Sequence, residues 1–89
     1  MSALRYARAQ KVIASVIDGE LLVLNADTDC FRLSDIAADI WHSLAQTKSF
    51  AQIRDGIMRD YDVPRSVCEP DLHVFMSQLQ ESGLIEQQR

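Results

Sequence analysis

The stretch from residue 12 to residue 33 constrains the fold most, because three short apolar segments alternate there with turn-forming residues. Residues 12–17 are mostly β-branched, residues 21–24 are aliphatic, and residues 30–33 alternate apolar with polar side chains. Short apolar runs that are separated by clusters of Asp, Gly and Asn are typical of antiparallel strands joined by tight turns. The pattern therefore predicts a three-stranded antiparallel sheet.

Three segments with helical periodicity follow the predicted sheet. Apolar residues recur every three or four positions within residues 35–46, 50–62 and 66–82, which is the spacing of a buried helix face. Ser49–Gln52 and Ser66–Glu69 both fit a capping box at a helix start. Gly83 is the expected left-handed stop of the last helix, and Leu84 is expected to fold back onto the helix end as a hydrophobic contact. The predicted fold class is α+β: a winged helix-turn-helix in which a three-stranded antiparallel sheet precedes three helices.

The chain has 89 residues, which suits one small domain without a deep cleft. Residues 1–11 hold three cations, no acid and no clear periodicity, so we expect a flexible N-terminal arm. We expect residues 12–86 to form the folded domain and residues 87–89 a tail. No apolar run approaches the ~20 residues of a membrane span, and an apolar signal region is missing. A cytoplasmic protein without membrane contact is expected.

The reactive side chains form no catalytic or metal-binding motif. Cys68 and His73 lie five positions apart on one predicted helix, so they point in different directions and cannot readily share a metal ion. His42 lacks the His-x-x-x-His spacing of a zinc helix. The glycines are isolated and form no phosphate loop. We therefore expect no enzyme activity, no cofactor and no metal.

The charge balance argues against nucleic acid as a partner. Nine Lys and Arg residues against thirteen Asp and Glu residues give a net charge of −4. The last predicted helix and its tail, from Ser66 to Gln88, contain four acids and no Lys or Arg. A recognition helix needs cations for phosphates and guanine edges, so DNA binding is disfavoured despite the winged-helix outline.

The third predicted strand has an open edge that another polypeptide can occupy. Unpaired backbone groups at a sheet edge accept an added strand, and such β-augmentation needs no catalytic residue. The alternative is that the N-terminal arm or a second copy of the chain covers this edge. Periodicity alone leaves both interpretations open. By its alternation, the strand places Phe31 and Leu33 on one face and Cys30 and Arg32 on the other.

The order and spacing of six segments resemble the PqqD-like family, also called RiPP recognition elements, where RiPP denotes a ribosomally synthesised and post-translationally modified peptide. These segments are residues 20–25, 28–34, 36–41, 50–57, 61–64 and 71–85. The resemblance implies a domain that binds the N-terminal leader of a precursor peptide and presents it to a modifying enzyme. The leader is expected to lie antiparallel to the third strand, in a groove shared with the third helix.

The resemblance also implies the site residues. On the third strand they are Asp29, Cys30, Phe31, Arg32 and Leu33. On the third helix they are Val67, Asp71, Val74, Phe75 and Gln78. Apolar helix side chains such as Val74 would accept leader hydrophobes, while backbone pairing would set direction and register.

Two local features indicate a subgroup of the family. The Ile40-Trp41 pair is similar to standalone members found with lasso peptides, and residues 22–27 depart from the subgroup that serves pyrroloquinoline quinone synthesis. The expected partners are a precursor leader peptide and a leader-removing cysteine protease or other modifying enzyme, with the protein a monomer or weak homodimer. The alternatives are a peptide chaperone for a radical SAM enzyme, a small winged-helix DNA-binding regulator, and a dimerisation module that uses the same edge.

Overall fold

The computed structural model describes residues 4–88, and the α+β class predicted from the sequence is confirmed. The elements in chain order are β1 (Arg5–Arg8), β2 (Ile13–Ile17), β3 (Glu20–Leu24), β4 (Cys30–Leu33), α1 (Asp35–Ser43), β5 (Lys48–Ser49), α2 (Phe50–Tyr61), α3 (Arg65–Glu81) and β6 (Ile85–Gln88). Among these residues, no helix is both long enough and apolar enough to cross a bilayer.

The predicted antiparallel sheet is present, with the strand order β2-β3-β4. Leu33 pairs with Leu21 and Phe31 pairs with Val23, so these four side chains share the face that packs on the core. Cys30 and Arg32 are exposed on the opposite face, as the alternation predicted. The three predicted helices follow the sheet, and β4 lies at one of its edges.

A second antiparallel sheet, with the order β5-β1-β6, was not predicted from the sequence. Its central strand β1 consists of residues 5–8, which we had expected to belong to a flexible arm. Tyr6 of β1 is buried, and the Arg8 guanidinium lies 4.6 Å from the centre of the Trp41 ring. Arg8 also donates two hydrogen bonds to the Trp41 carbonyl, at 3.1 and 2.9 Å. These contacts fix residues 5–8 to the domain.

Both limits of the folded domain therefore differ from the predicted range 12–86. Strand β6 includes residues 87 and 88 of the expected tail, and β6 pairs with β1 over its whole length. The two strands lie at opposite ends of the chain, so no local pattern indicates their pairing. The remainder of the predicted arm before residue 4, and residue 89 of the tail, lie outside the described residues.

The helix starts follow the sequence in one case and depart from it in another. The capping box at Ser49 is confirmed, because the Ser49 hydroxyl accepts from the Gln52 amide at 3.2 Å and Gln52 accepts from the Ser49 amide at 2.9 Å. The second predicted capping box is wrong: α3 begins at Arg65, after Pro64. Glu69 instead forms ion pairs with Arg54 and Arg65.

The end of α3 is fixed by a left-handed residue and a backbone hydrogen bond. Gly83 has a φ of +73°, which confirms the predicted stop, and the Leu84 amide donates to the Leu79 carbonyl at 3.0 Å. This is a Schellman motif, in which the residue after the left-handed position turns back onto the helix. Leu84 is fully buried as a result.

Asn25 connects the β3–β4 loop to the end of α3. Its Nδ2 donates to the Ser82 carbonyl at 2.9 Å, while its Oδ1 accepts from the amides of Asp27 and Asp29. One side chain thereby shapes the loop that precedes β4 and holds that loop against the helix terminus.

Two glycine substitutions are expected to change stability in opposite directions. Gly83→Ala should lower the free energy of unfolding by about 1–2 kcal/mol, because an L-residue is strained at positive φ. The loss would come from the backbone and not from a clash, because the new Cβ would lie 3.8 Å from Asn25. Gly56→Ala, inside α2, should raise it by up to about 1 kcal/mol through helix propensity. Urea denaturation measures the free energy of unfolding of both variants. If both substitutions changed it by the same amount, the assigned backbone geometry would be contradicted.

Candidate functional site

The edge of β4 that faces away from β3 carries no strand within residues 4–88. From the sequence, the N-terminal arm was one segment that could cover this edge. Residues 5–8 pair with β5 and β6 instead, so this part of the arm does not cover β4. The backbone of Cys30–Leu33 therefore presents unpaired polar groups along one side.

Next to this edge, β4 and α3 enclose a cavity of about 260 Å³, which we call the β4–α3 groove. It is lined by Phe31, Arg32, Leu33, Ala37, Phe75, Gln78, Leu79, Ser82 and Leu84. Leu33, Leu79 and Leu84 are buried in the core, while Phe31 and Phe75 are half-buried at its margin. The floor of the groove is thus apolar and its rim is polar.

Further cavities adjoin both ends of the groove. A wide one of about 410 Å³ shares Phe31, Gln78 and Ser82 with it. A narrow one of about 50 Å³ shares Phe75 and is lined mainly by apolar side chains. Together the three cavities follow the length of α3. A segment of extended polypeptide matches this shape better than a compact small molecule does.

Eight of the ten residues predicted for the site line these cavities. They are Asp29, Phe31, Arg32, Leu33, Val67, Asp71, Phe75 and Gln78. Cys30, which is exposed, does not line them. Val74 is 56% exposed and lies at the rim, on the α3 stripe that includes Val67, Asp71 and Gln78 at helical spacing. Which of the ten contact a ligand stays a prediction.

Sequence reasoning missed several residues that build the groove. Asn25 and Ser82 join its two walls, Ala37 of α1 closes the floor, and Glu81 lines the wide end. Leu84 had been expected only to contact the helix end, yet it also lines the groove. The Gly83-Leu84 pair was the one signal for this, because a Schellman turn returns its second residue to the helix.

The two ends of the groove are acidic. Asp27, Asp29 and Glu81 surround the wide end, and Asp71 lies at the narrow end. Arg32 is the cation on the lining, and it forms an exposed ion pair with Glu20 at 3.5 Å. An acidic surface repels a phosphate backbone, so the groove is unsuited to nucleic acid.

The two cysteines differ sharply in environment. Cys30 is exposed on β4, whereas Cys68 is buried on α3 with its Sγ 3.9 Å from the Arg54 carbonyl oxygen. Burial raises the pKa of the Cys68 thiol, and the nearby Arg54 charge opposes this effect only in part. Cys68 is therefore a structural side chain and Cys30 an accessible one.

The fold and the groove together define a class: small α+β domains in which a helix flanks an open sheet edge. The sequence profile of the family described as Coenzyme PQQ synthesis protein D (PqqD) matches residues 20–85. The chain belongs to the PqqD family. A search of curated proteins finds no match.

Two solved structures share the fold over nearly their whole length. One, "TbiB1 in Complex with the TbiA(beta) Leader Peptide", is 30% identical, has a TM-score of 0.80, and is aligned over 90% of this chain and 94% of that chain. The other, "Lasso peptide synthetase B1 complexed with the leader peptide", is 21% identical with a TM-score of 0.75, aligned over 91% and 96%. At 21% identity the second similarity shows the fold alone.

The two thiols are expected to react with iodoacetamide at very different rates. Cys30 should be alkylated rapidly in the native protein, while Cys68 should react at least about 100-fold more slowly, because it must first be exposed by an opening of the structure. Mass spectrometry of the digested protein follows both rates. Cys30→Ser should remove the fast phase. Similar rates at both sites would contradict the burial of Cys68.

Proposed function

We propose that this protein binds the leader of a ribosomally synthesised precursor peptide as a strand added to β4, and that it presents the leader to a modifying enzyme. The open β4 edge beside the apolar β4–α3 groove is the observation that carries this proposal. Membership of the PqqD family supports it, as do two relatives of the same fold that are described in complex with leader peptides.

Strand addition would use both parts of the site. Main-chain hydrogen bonds to Cys30–Leu33 would provide affinity without regard to sequence, and an antiparallel leader would run from Leu33 towards Asp29. Alternate leader side chains would point towards α3 and contact Phe31 and Phe75. The role is one of binding, and every chemical step would belong to the partner enzyme.

The charges restrict which peptides fit. Carboxylates at both ends of the groove disfavour acidic side chains on the face of the leader that turns towards α3. Two exposed valines of α3, Val67 and Val74, offer apolar contacts outside the enclosed part of the groove. The fitting leader segment is therefore apolar with neutral or basic neighbours.

The outer face of the β2-β3-β4 sheet is suited to the enzyme. Ile13 pairs with Leu24 and Ser15 with Leu22 on this face, and Ile13 and Ile17 are 65% and 54% exposed. An antiparallel sheet usually turns polar side chains towards water, so these aliphatic residues need a partner. A leader strand on β4 would extend the same face with its alternate side chains, so the enzyme would contact adaptor and leader together.

We propose a leader-removing cysteine protease of a lasso peptide pathway as that enzyme. The Ile40-Trp41 pair supports this pathway, and a solved structure of the same fold is described as a lasso peptide synthetase. The alternative is a radical SAM enzyme of a pyrroloquinoline quinone-type pathway, which the family description favours. Purification of the tagged protein with the enzymes encoded beside its gene distinguishes the two.

Substitution of Val74 is expected to weaken leader binding selectively. Val74→Asp should raise the Kd at least about tenfold, because a charged side chain would lie against the apolar part of the bound peptide. Fluorescence anisotropy measures this with a labelled synthetic leader of the cognate precursor. Val16→Asp is the matched control, since Val16 is 65% exposed on β2, away from the groove. Equal Kd values for both variants would contradict the assigned site.

We expect a substitution on the outer face of the sheet to slow cleavage of the precursor without weakening leader binding. Ile13→Asp should slow peptidase cleavage of the adaptor-bound precursor by about tenfold or more, because it places a charge in an apolar contact, while the leader Kd stays unchanged. Chromatography of the cleavage products gives the rate. Val16→Asp again serves as the control, because its side chain lies on the opposite face of β2. Loss of leader affinity in Ile13→Asp would count against separate surfaces.

A further inference from the structure

We propose that β2 is a second docking edge and that it pairs, antiparallel, with β2 of another copy of this chain around a two-fold axis at Ser15. This edge is the opposite edge of the sheet from β4, so the inference goes beyond the proposed function and uses none of the groove residues. Within residues 4–88, β2 pairs with β3 alone. Its outward edge is therefore open.

The composition of β2 is unusual for an unprotected edge. All five of its residues are exposed, and they include Ile13, Val16 and Ile17. Proteins that keep their sheet edges single usually protect them with charged side chains, proline or a bulge. β2 contains no charged residue and no proline, whereas β4 carries Arg32. The β2 edge thus lacks the charged side chains and proline that usually prevent a sheet edge from pairing with another strand.

The sequence of β2 is complementary to itself when it is read in opposite directions. With Ser15 opposite Ser15, Ile13 of one copy faces Ile17 of the other, and Ala14 faces Val16. Cross-strand pairs of this kind stabilise a sheet when apolar side chains lie opposite each other. Each pair occurs twice because the interface is two-fold symmetric. The arrangement places apolar contacts on both faces of the joined sheet.

Charges beyond the strand ends select the same arrangement. Lys11 lies just before β2, and Asp18 and Glu20 lie just after its end, so the antiparallel pairing brings Lys11 of one copy near the acidic turn of the other. All three charged residues are exposed. A parallel arrangement would instead bring Lys11 next to Lys11 and Asp18 next to Asp18. Charge complementarity therefore favours the antiparallel two-fold pairing.

A second copy fits this edge better than a guest peptide does. The apolar groove that would select a peptide lies between β4 and α3, at the other edge of the sheet. A dimer through β2 would form a continuous six-stranded sheet that leaves both β4 edges free at its ends. A contact of five residues is smaller than the ~800 Å² per partner of stable complexes, so the dimer should be reversible and depend on concentration.

Sedimentation velocity of the full chain over ~10 µM to ~1 mM, the range of weak association, tests the proposal. The mass should rise with concentration from 10.1 kDa towards twice that value. Ser15→Lys should abolish the rise, because two ammonium groups would meet at the axis. Ser77→Lys, on an exposed position of α3, should not. Circular dichroism and leader affinity, both expected to be unchanged, verify that Ser15→Lys is folded.

A cross-link locates the contact directly. In a Cys30→Ser background, Ser15→Cys should form a disulfide-linked dimer on mild oxidation, since residues opposite each other bring their Cβ atoms to about 4.5–5.5 Å. Ser77→Cys should form no disulfide-linked dimer. A mass of 10.1 kDa at every concentration, or a Ser15→Lys variant that still dimerises, overturns the proposal. The two hypotheses can fail separately, because Val74→Asp should lose leader affinity while it keeps the dimer.

Discussion

The separation between β4 and α3 is the constraint on which the rest of the structure depends. The two elements must lie close enough to share an apolar floor, yet far enough apart to leave the β4 edge open. Asn25 connects the two elements, because it joins the β3–β4 loop to the Ser82 carbonyl at the end of α3. The left-handed Gly83 and the buried Leu84 then close the helix and complete the floor of the groove.

The two ends of the chain stabilise this arrangement from the far side. β6 follows directly after Leu84 and pairs with β1, and the Ala9 amide donates to the Leu84 carbonyl at 3.0 Å. Arg8 is held over Trp41, which is buried on α1. Residues 5–8 are committed to this second sheet, so they cannot also occupy β4. The open edge follows from where the N-terminal strand pairs.

Local patterns predicted the elements that local forces determine. The alternation in Cys30–Leu33, the capping box at Ser49 and the stop at Gly83 each depend on a few neighbouring residues, and all three are confirmed. The β1–β6 pairing escaped prediction because its partners lie at opposite ends of the chain. Glu69 was misread because its carboxylate pairs with Arg54 of another helix, which the sequence of α3 does not reveal. The groove residues on α3 were named through the family resemblance, and Asn25 required the tertiary structure.

Hydrogen exchange of the backbone amides, with and without the cognate leader peptide, tests the central claim most directly. Strand addition predicts that the segment Cys30–Leu33 becomes strongly protected when the leader binds, while amides of the second sheet, such as those of β1, keep their rates. Saturable leader binding without added protection at β4, or with protection confined to another element, would contradict the account.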